Sequence, residues 1–352
     1  MTAITTSSST TAKACTAQAH ANIALIKYWG KRRGDDERLN LPAVGSLSIT
    51  LDALTTTTSV EFDPELTADQ ASINAQQLQA RELQRITTTL DLIRAQARQQ
   101  GQHQLAKRRA RVISNNDFPT AAGLASSASA FAALVTAASA AAGLKLTSTR
   151  LSELARMGSG SAARSIFGGF VMLPRGQRDD GSDAVAEPLH SATHWPLRVV
   201  IAITDSSYKK VSSTQGMQQT MHTSPYFAVW VAEQENDLQQ AAAAVAERDF
   251  ERLAELAEHS CLKMHASALA ARPGLLYWQP ATIACMHAIR ELRAQGHAVF
   301  FTNDAGPQIK AVCLPEAEAV VAAALQDIPG VQALLHSGLG EAARITATAS
   351  SN

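Results

Sequence analysis

A short segment with one glycine and two adjacent serines constrains the structure of this chain most. Residues 116–128 read NDFPTAAGLASSA, and an alanine-rich run typical of a helix follows. Gly123 has no Cβ, so a ligand can approach its backbone closely. A helix that starts just after it would point unpaired N–H groups and the positive end of its dipole into the loop, where phosphate binds. Ser126 and Ser127 would add hydroxyls for phosphate or for magnesium.

The same segment also has a plainer interpretation, which is a glycine turn with serine caps before a helix. Its local chemistry alone supports the phosphate loop and the capped turn about equally. It is not a Walker loop, because no Gly-Lys-Ser/Thr triplet follows the glycine.

The composition predicts a globular protein whose anion site must be local. At 352 residues the chain is long enough for one large or two ordinary domains. Lys plus Arg and Asp plus Glu number 31 each, so no net field attracts nucleic acid or an acidic membrane. No apolar run approaches the roughly 20 residues that span a bilayer. Residues 1–14 have no apolar core segment, so they predict a disordered tail and not a secretory signal. The four cysteines have no metal-type spacing, so they predict reduced thiols in a cytoplasmic protein.

Hydrophobic periodicity predicts an α+β protein in two layers. Leu47–Leu51 alternates as a strand and should pair with Thr55–Phe62 as a hairpin, and one amphipathic helix should run from Ile73 to about Gln100. A polar stretch at 174–195 predicts a boundary between residues 15–193 and 194–352, with a last strand near 342–348 that returns to the first domain. Other helices are predicted at 147–157, 214–222, 226–246, 250–266, 280–295 and 315–326, and strands at 110–114, 168–173, 197–204 and 297–302.

A basic turn near the N-terminus is a candidate for binding a highly charged anion. Residues 27–33, KYWGKRR, place four cations around a tyrosine and a tryptophan. A diphosphate needs several cations close together, because bulk water screens single pairs. A basic surface turn is the plainer interpretation, but two large aromatic side chains are unusual in such a turn.

Arg164 and Asp304 each allow a functional and a structural interpretation. Arg164 lies in the segment GSGSAARS at 158–165, and its guanidinium offers two parallel donors to a carboxylate. It could equally pair with a nearby aspartate or cap a carbonyl. Asp304 follows an apolar strand and precedes a Gly-Pro pair, so it could project into a cleft. Sequence spacing alone favours a turn-forming aspartate there.

Four segments together resemble the GHMP kinase superfamily and, within it, the mevalonate diphosphate decarboxylase family. They are ANIALIKYWGKR at 21–32, the glycine-serine loop at 119–127, GSGSAARS at 158–165 and TNDAGP at 302–307. They occur in family order with similar intervals, so the resemblance extends from about residue 18 to about residue 346. Kinase members usually carry glycine where Ala125 stands, and the alanine resembles the decarboxylases.

This resemblance implies a GHMP-type fold with the active site in a cleft between two domains, and it implies roles for individual residues. Asp304 would be the catalytic base, with Lys27, Arg164 and Ser127 as further catalytic residues and Ser127 also as a magnesium ligand. The substrate would contact Tyr28, Lys31, Ser161, Arg164 and Ala305. ATP would contact Ser114, Asn115, Pro119, Ala121, Ala122, Gly123, Leu124, Ala125, Ser126 and Ser127.

The implied reaction is the ATP-dependent decarboxylation of mevalonate 5-diphosphate to isopentenyl diphosphate, in isoprenoid biosynthesis. ATP and magnesium would be required, and the enzyme would be a cytoplasmic homodimer that binds neither nucleic acid nor membranes. The first alternative is a GHMP kinase or a decarboxylase that acts on mevalonate or its monophosphate. The second is a nucleotide-binding protein without catalysis, which leaves Asp304 unexplained. Release of carbon dioxide would separate the decarboxylase from a kinase.

Overall fold

The structure is a computed structural model that describes residues 13–32, 37–118, 126–205 and 211–350. The strands in these ranges are β1 (Lys13–Ile26), β2 (Ser46–Asp63), β3 (Gln70–Ile73), β4 (Gln76–Gln77), β5 (Arg109–Asn116), β6 (Phe170–Leu173), β7 (Glu187–His190), β8 (Arg198–Ile203), β9 (Val299–Asn303), β10 (Ile309–Cys313), β11 (Ala333–Ser337) and β12 (Arg344–Ser350). The α-helices are α1 (Ala80–Gln99), α2 (Ser126–Ala141), α3 (Ser148–Gly158), α4 (Ser213–Thr223), α5 (Phe227–Glu247), α6 (Phe250–Leu269), α7 (Pro280–Ala294) and α8 (Glu318–Gln326).

The larger sheet is built around β1 and β2. Its order is β12-β1-β2-β5-β3-β4, and β6 pairs with both β2 and β7. β12 runs antiparallel to β1, so the last described strand lies beside the first. α2 packs across β1 and β2 with a surface of fully buried alanines that includes Ala133 and Ala137. Small side chains let the helix approach the sheet closely, which accounts for the alanine-rich run in the sequence.

The smaller sheet has the order β11-β8-β10-β9, and all its neighbours are antiparallel. α7 and α8 cover one face, while α6 packs on β9 and also on β1 of the larger sheet. Leu25, Leu253 and Phe300 belong to one buried apolar cluster that spans both sheets. This shared core fixes the end of β1 relative to the end of β9.

The predicted hairpin between Leu47 and Phe62 is wrong, because β2 is one continuous strand. The residues between the two predicted strands, Asp52 to Leu54, supply no glycine or asparagine for a tight turn. β1 pairs with both halves of β2, and the register of this pairing shifts between His20 and Asn22.

The predicted start of the first helix at Ile73 is also wrong. Asn74 and Ala75 have φ angles of 48° and 62° and connect β3 to β4, so the helix begins only at Ala80. The remaining predicted helices occur within a few residues of their predicted bounds. The predicted α+β class is confirmed, because eight α-helices accompany two separate sheets in the described ranges. The domain bounds at 15–193 and 194–352 stay a prediction.

Candidate active site

Two strand ends meet at the candidate site. β1 and β9 each end one residue before a charged side chain, Lys27 and Asp304 respectively. The Lys27 ammonium donates to Asp304 Oδ1 at 2.7 Å. Asn303 fixes the turn that carries the carboxylate, since its amide donates to the carbonyl oxygens of Gly306 at 3.0 Å and Gln308 at 2.8 Å.

Lys27 is held in place by both its backbone and its side chain. Its Nζ also donates to the Ala24 carbonyl at 2.8 Å, and its backbone N–H donates to Ser260 Oγ on α6 at 2.9 Å. The lysine side chain is only 1% exposed, whereas that of Asp304 is 25% exposed. A buried ammonium needs a partner, and the carboxylate that supplies it remains accessible to a ligand.

Lys310 is a second buried cation at Asp304, and sequence reasoning missed it. Its Nζ lies 3.4 Å from Asp304 Oδ2, and its side chain is 1% exposed. Burial lowers the pKa of Lys310, an effect that the Asp304 carboxylate opposes. One signal was available, because this lysine is the only charged residue in the sequence IKAVC of β10. A fully buried lysine is rare unless it is paired.

Arg164 lies in a 3₁₀ turn, Gly160–Ile166, and is 2% exposed. Its Nη1 donates to Ser46 Oγ at 2.6 Å, and its Nε and Nη2 donate to Asn22 Oδ1 at 3.3 and 3.1 Å. Burial lowers the pKa of Arg164 to about 10, so it remains a cation at neutral pH. Within the described ranges its hydrogen-bond partners are all neutral, which leaves its charge available to an anionic ligand.

Tyr28 contacts the guanidinium of Arg164, with 5.7 Å between the guanidinium carbon and the ring centre. The tyrosine hydroxyl is buried and has no hydrogen-bond partner among the described residues, and burial raises its pKa to about 12. Gly160 leaves it room, because a Cβ at that position would lie 2.1 Å from the hydroxyl. Unpaired buried hydroxyls are rare in proteins, so a ligand oxygen fits as the missing partner.

A chain of hydroxyls connects the start of α2 to the turn that holds Arg164. Ser159 Oγ donates to Ser127 Oγ at 3.3 Å and lies 3.4 Å from Ser161 Oγ. Ser126 and Ser127 are the first two residues of α2, where backbone N–H groups and the helix dipole favour an anion. The structure therefore brings Ser127 and Ser161 close to each other through Ser159.

Ser114 and Asn115 lie on opposite faces of β5. Ser114 is buried, and its Oγ is 2.9 Å from Thr58 Oγ1 on the neighbouring strand. Asn115 is exposed. Their predicted contacts with adenine stay predictions, and the exposed asparagine is the more accessible of the two.

Lys31 and Ala305 are the remaining predicted substrate contacts. Ala305 is 6% exposed and belongs to the same apolar cluster as Trp29. Lys31 donates to Asn40 Oδ1 at 2.5 Å and lines a cavity of about 240 Å³. Other cationic or titratable residues that line this cavity are Arg32, Arg175 and His222.

Part of the predicted ATP loop lies outside the described residues, so its contacts stay predictions. The residues concerned are Pro119, Ala121, Ala122, Gly123, Leu124 and Ala125. Across the described ranges, no group of three or more His, Cys, Asp and Glu residues is placed to hold a metal ion. No helix in those ranges combines the length and hydropathy needed to cross a membrane.

Known families match both halves of the chain. Residues 19–186 match the diphosphomevalonate decarboxylase-like N-terminal domain, and residues 199–338 match the mevalonate 5-diphosphate decarboxylase C-terminal domain. A diphosphomevalonate decarboxylase from Aspergillus fumigatus is 38% identical over 329 residues, which cover 90% of this chain and 80% of the relative. The human diphosphomevalonate decarboxylase is 36% identical over 326 residues, which cover 89% of this chain and 80% of the relative.

Solved structures of mevalonate diphosphate decarboxylases superpose on nearly the whole length of this chain, which confirms the predicted GHMP-like architecture. Mevalonate diphosphate decarboxylase from Staphylococcus aureus gives a TM-score of 0.87 at 36% identity, and the match covers 96% of this chain and 98% of that one. A structure described as MDDEF in complex with MVAPP, AMPPCP and magnesium gives a TM-score of 0.86 at 38% identity, covering 95% and 99%. The chain therefore belongs to the diphosphomevalonate decarboxylase family.

Proposed function

We propose that this chain catalyses the ATP-dependent decarboxylation of mevalonate 5-diphosphate to isopentenyl diphosphate. The observation that carries the proposal is the carboxylate of Asp304, which is ion-paired to Lys27 and within electrostatic range of Arg164. A base beside a cation suits removal of a hydroxyl proton. A second cation, Arg164, whose hydrogen-bond partners within the described ranges are neutral, suits an acidic substrate. The solved complex of a relative with MVAPP, AMPPCP and magnesium supports the same substrates here.

In the first step, Asp304 orients the tertiary 3-hydroxyl of the substrate and accepts its proton. Lys27 stabilises the negative charge that develops on that oxygen, and the oxygen attacks the γ-phosphorus of ATP. The bond between the γ-phosphorus and the ADP oxygen breaks, and ADP leaves. Phosphoryl transfer depends mainly on positioning and charge stabilisation, which a carboxylate paired with the buried Lys27 provides.

In the second step, the bond between C3 and the new phosphate breaks, and inorganic phosphate leaves with that electron pair. The bond between C2 and the substrate carboxylate breaks, its electrons form the double bond, and carbon dioxide is released. Arg164 would hold the carboxylate until this step through its two parallel donors. Tyr28, Ser161 and Lys31 would bind the diphosphate end of the substrate.

ATP would lie at the N-terminus of α2 and on the loop before it. Ser126 and Ser127 present hydroxyls there, next to backbone N–H groups that suit phosphate oxygens. Hydroxyl and phosphate oxygens are ligands that magnesium prefers, so Ser127 would bind the ion that accompanies the nucleotide. Bound magnesium supplies charge neutralisation on the transferring phosphate.

The cellular setting is also part of the proposal. All four cysteines are buried, which suits reduced thiols in the cytoplasm. A homodimer follows from the resemblance, and sedimentation of the purified protein would establish it.

Asp304→Asn tests the catalytic assignment, because it removes the base and changes little volume. We expect the variant to bind mevalonate 5-diphosphate with nearly unchanged affinity and to lose turnover by roughly 100- to 10,000-fold, the usual contribution of a general base. Calorimetric binding and release of ADP and carbon dioxide are to be measured on the variant and the parent enzyme. Equal turnover in the two proteins would exclude Asp304 as the base.

A further inference from the structure

Asp304 is contacted by two buried lysines, one at each oxygen. Lys27 approaches Oδ1 at 2.7 Å, and Lys310 approaches Oδ2 at 3.4 Å. Both lysine side chains are 1% exposed. The reaction described above uses Lys27 and leaves Lys310 without a role.

The alternation of β10 places Lys310 at this site. Ile309 and Ala311 pack into the core beneath α7 and α8, whereas Val312 packs into the core shared by the two sheets. Lys310 therefore shares the inner face with Val312. It stands opposite Thr302 on β9, whose hydroxyl donates to the Ala24 carbonyl of β1 at 3.3 Å. The same carbonyl accepts a hydrogen bond from Lys27 Nζ. Pairing of β10 with β9 and the bond from Thr302 to Ala24 therefore connect Lys310 to the segment that carries Lys27.

We propose that Lys310 is a positioning residue, which holds the Asp304 carboxylate in a single orientation and in its ionised form. The inference rests on the proposed function, because it is Asp304 that contacts the substrate hydroxyl. A carboxylate has about four lone-pair positions, so one contact at each oxygen fixes its plane and still leaves positions for the substrate. The contact from Lys310 at Oδ2 adds to the contact that Lys27 makes at Oδ1.

Several charged or titratable groups besides Lys310 surround Asp304. They include Lys27 directly after β1, Arg164 in the 3₁₀ turn, and Cys261 and His265 on α6. Burial, assisted by Lys27, lowers the pKa of His265 to about 3, and burial raises the pKa of Cys261. The imidazole and the thiol are therefore neutral between pH 5 and about 8, and neither changes charge in that range.

Lys310→Met tests the proposal, because methionine fills a similar volume without a charge. We expect kcat to fall roughly ten- to a hundredfold, because a misplaced catalytic group slows the reaction by about that factor. The KM values for mevalonate 5-diphosphate and ATP should change by less than about twofold, because Lys310 acts through Asp304. Loss of a cation beside a carboxylate should also shift the acid limb of the plot of kcat against pH to higher pH, by about one unit or more. Lys310→Arg keeps the charge and should restore the position of that limb.

Val312→Ala is the matched structural control on the same face of β10. It should lower the thermal unfolding midpoint by creating a cavity and leave the acid limb where it is in the parent. If Lys310→Met is too unstable to assay, Lys310→Gln provides the same loss of charge with a polar side chain. An unchanged acid limb and kcat in a folded neutral variant would refute the positioning role.

A second experiment does not depend on the decarboxylase activity. Aspartate labelled with ¹³C at the side-chain carboxyl gives a resonance for Asp304 that disappears in Asp304→Asn. We expect its titration midpoint to be higher in Lys310→Met than in the parent by about one pH unit or more. If the parent released no carbon dioxide, the proposed function would fail while this titration still decided the role of Lys310. Equal midpoints in parent and variant would overturn the inference.

A double substitution tests whether Lys310 acts through Asp304. In the Asp304→Asn background, Lys310→Met should reduce the residual ADP release by less than about twofold, because interacting residues are not additive. A further loss as large as that in the parent would show that Lys310 acts by another route.

Discussion

Two buried arginines show how much the partners of a side chain determine its use. Arg156 and Arg164 are 1% and 2% exposed. Arg156 donates to the backbone carbonyls of Leu39, Gly181 and Ala184, which fixes three chain segments together. Among the residues that the structure describes, Arg164 donates only to neutral side-chain oxygens, and the neighbouring Tyr28 hydroxyl has no hydrogen-bond partner. The first pattern is structural, and the second leaves a cation ready for a ligand.

Substituting lysine at each arginine separates the two roles. Arg164→Lys should weaken binding of mevalonate 5-diphosphate roughly 10- to 100-fold, because an ammonium cannot donate two parallel bonds to a carboxylate. Arg156→Lys should leave that affinity unchanged and lower the free energy of unfolding by about 1–3 kcal/mol, since buried carbonyls lose donors. Titration calorimetry and chemical denaturation of both variants measure these effects. Normal substrate affinity in Arg164→Lys would reject its assignment to the carboxylate.

Sequence motifs identified the charged residues that follow the two strand ends. They did not identify Lys310, which contacts one of these residues. Lys27 and Asp304 stood in motifs with a family resemblance, and the structure joins them in an ion pair. Lys310 stands in no such motif, and its strand β10 was not predicted. Its importance follows from the contact between Lys310 on β10 and Asp304 directly after β9. That contact forms only in the folded chain, so the pattern of a single sequence does not reveal it.

At the scale of elements, the site is formed where loops leave strands and enter helices. Lys27 follows β1, Asp304 follows β9, Ser127 is the second residue of α2, and Arg164 lies in the turn after α3. The rigid elements set the positions of these side chains, while the connecting segments expose them. Gly160, in the turn after α3, leaves space for the Tyr28 hydroxyl.

Gly160→Ala tests this packing between the turn and the basic segment. A Cβ would lie 2.1 Å from the Tyr28 hydroxyl, so the tyrosine must move. We expect a higher KM for mevalonate 5-diphosphate, a smaller change in KM for ATP, and about 1–3 kcal/mol lower stability from overpacking.

Gly158→Ala is the control, because its Cβ would meet the core residue Phe131 at 2.3 Å instead. This variant should lose stability to a similar extent with little change in substrate KM. An equal rise in substrate KM in both variants would mean that the effect is general destabilisation and not displacement of Tyr28.

Helices were predicted more accurately than strands, for a physical reason. The apolar period of α5, α6 and α7 is a local property, and their bounds fell within a few residues of the predictions. The long strand β2 depends instead on β1, which pairs along both of its halves. The β3–β4 hairpin depends on the backbone of Asn74 and Ala75, whose positive φ angles the helical pattern did not reveal.

At the scale of the whole molecule, one apolar cluster extends from the larger sheet to the smaller one. Leu25 and Leu47 from the larger sheet and Ile201 and Phe300 from the smaller sheet all belong to it. This cluster fixes the distance between Lys27 and Asp304, although 276 residues separate them in the sequence. The catalytic pair is therefore a product of the fold and not of a local motif.

If the proposed function is right, phosphoryl transfer and decarboxylation occur in one active site. The most direct test is to incubate the purified protein with ATP, magnesium and mevalonate 5-diphosphate, and to measure ADP and carbon dioxide in the same reaction. We expect the two products to be released in equal amounts. ADP without carbon dioxide would contradict the proposed function and indicate a kinase that stops at the 3-phosphate. Release of neither product would contradict the assigned substrate.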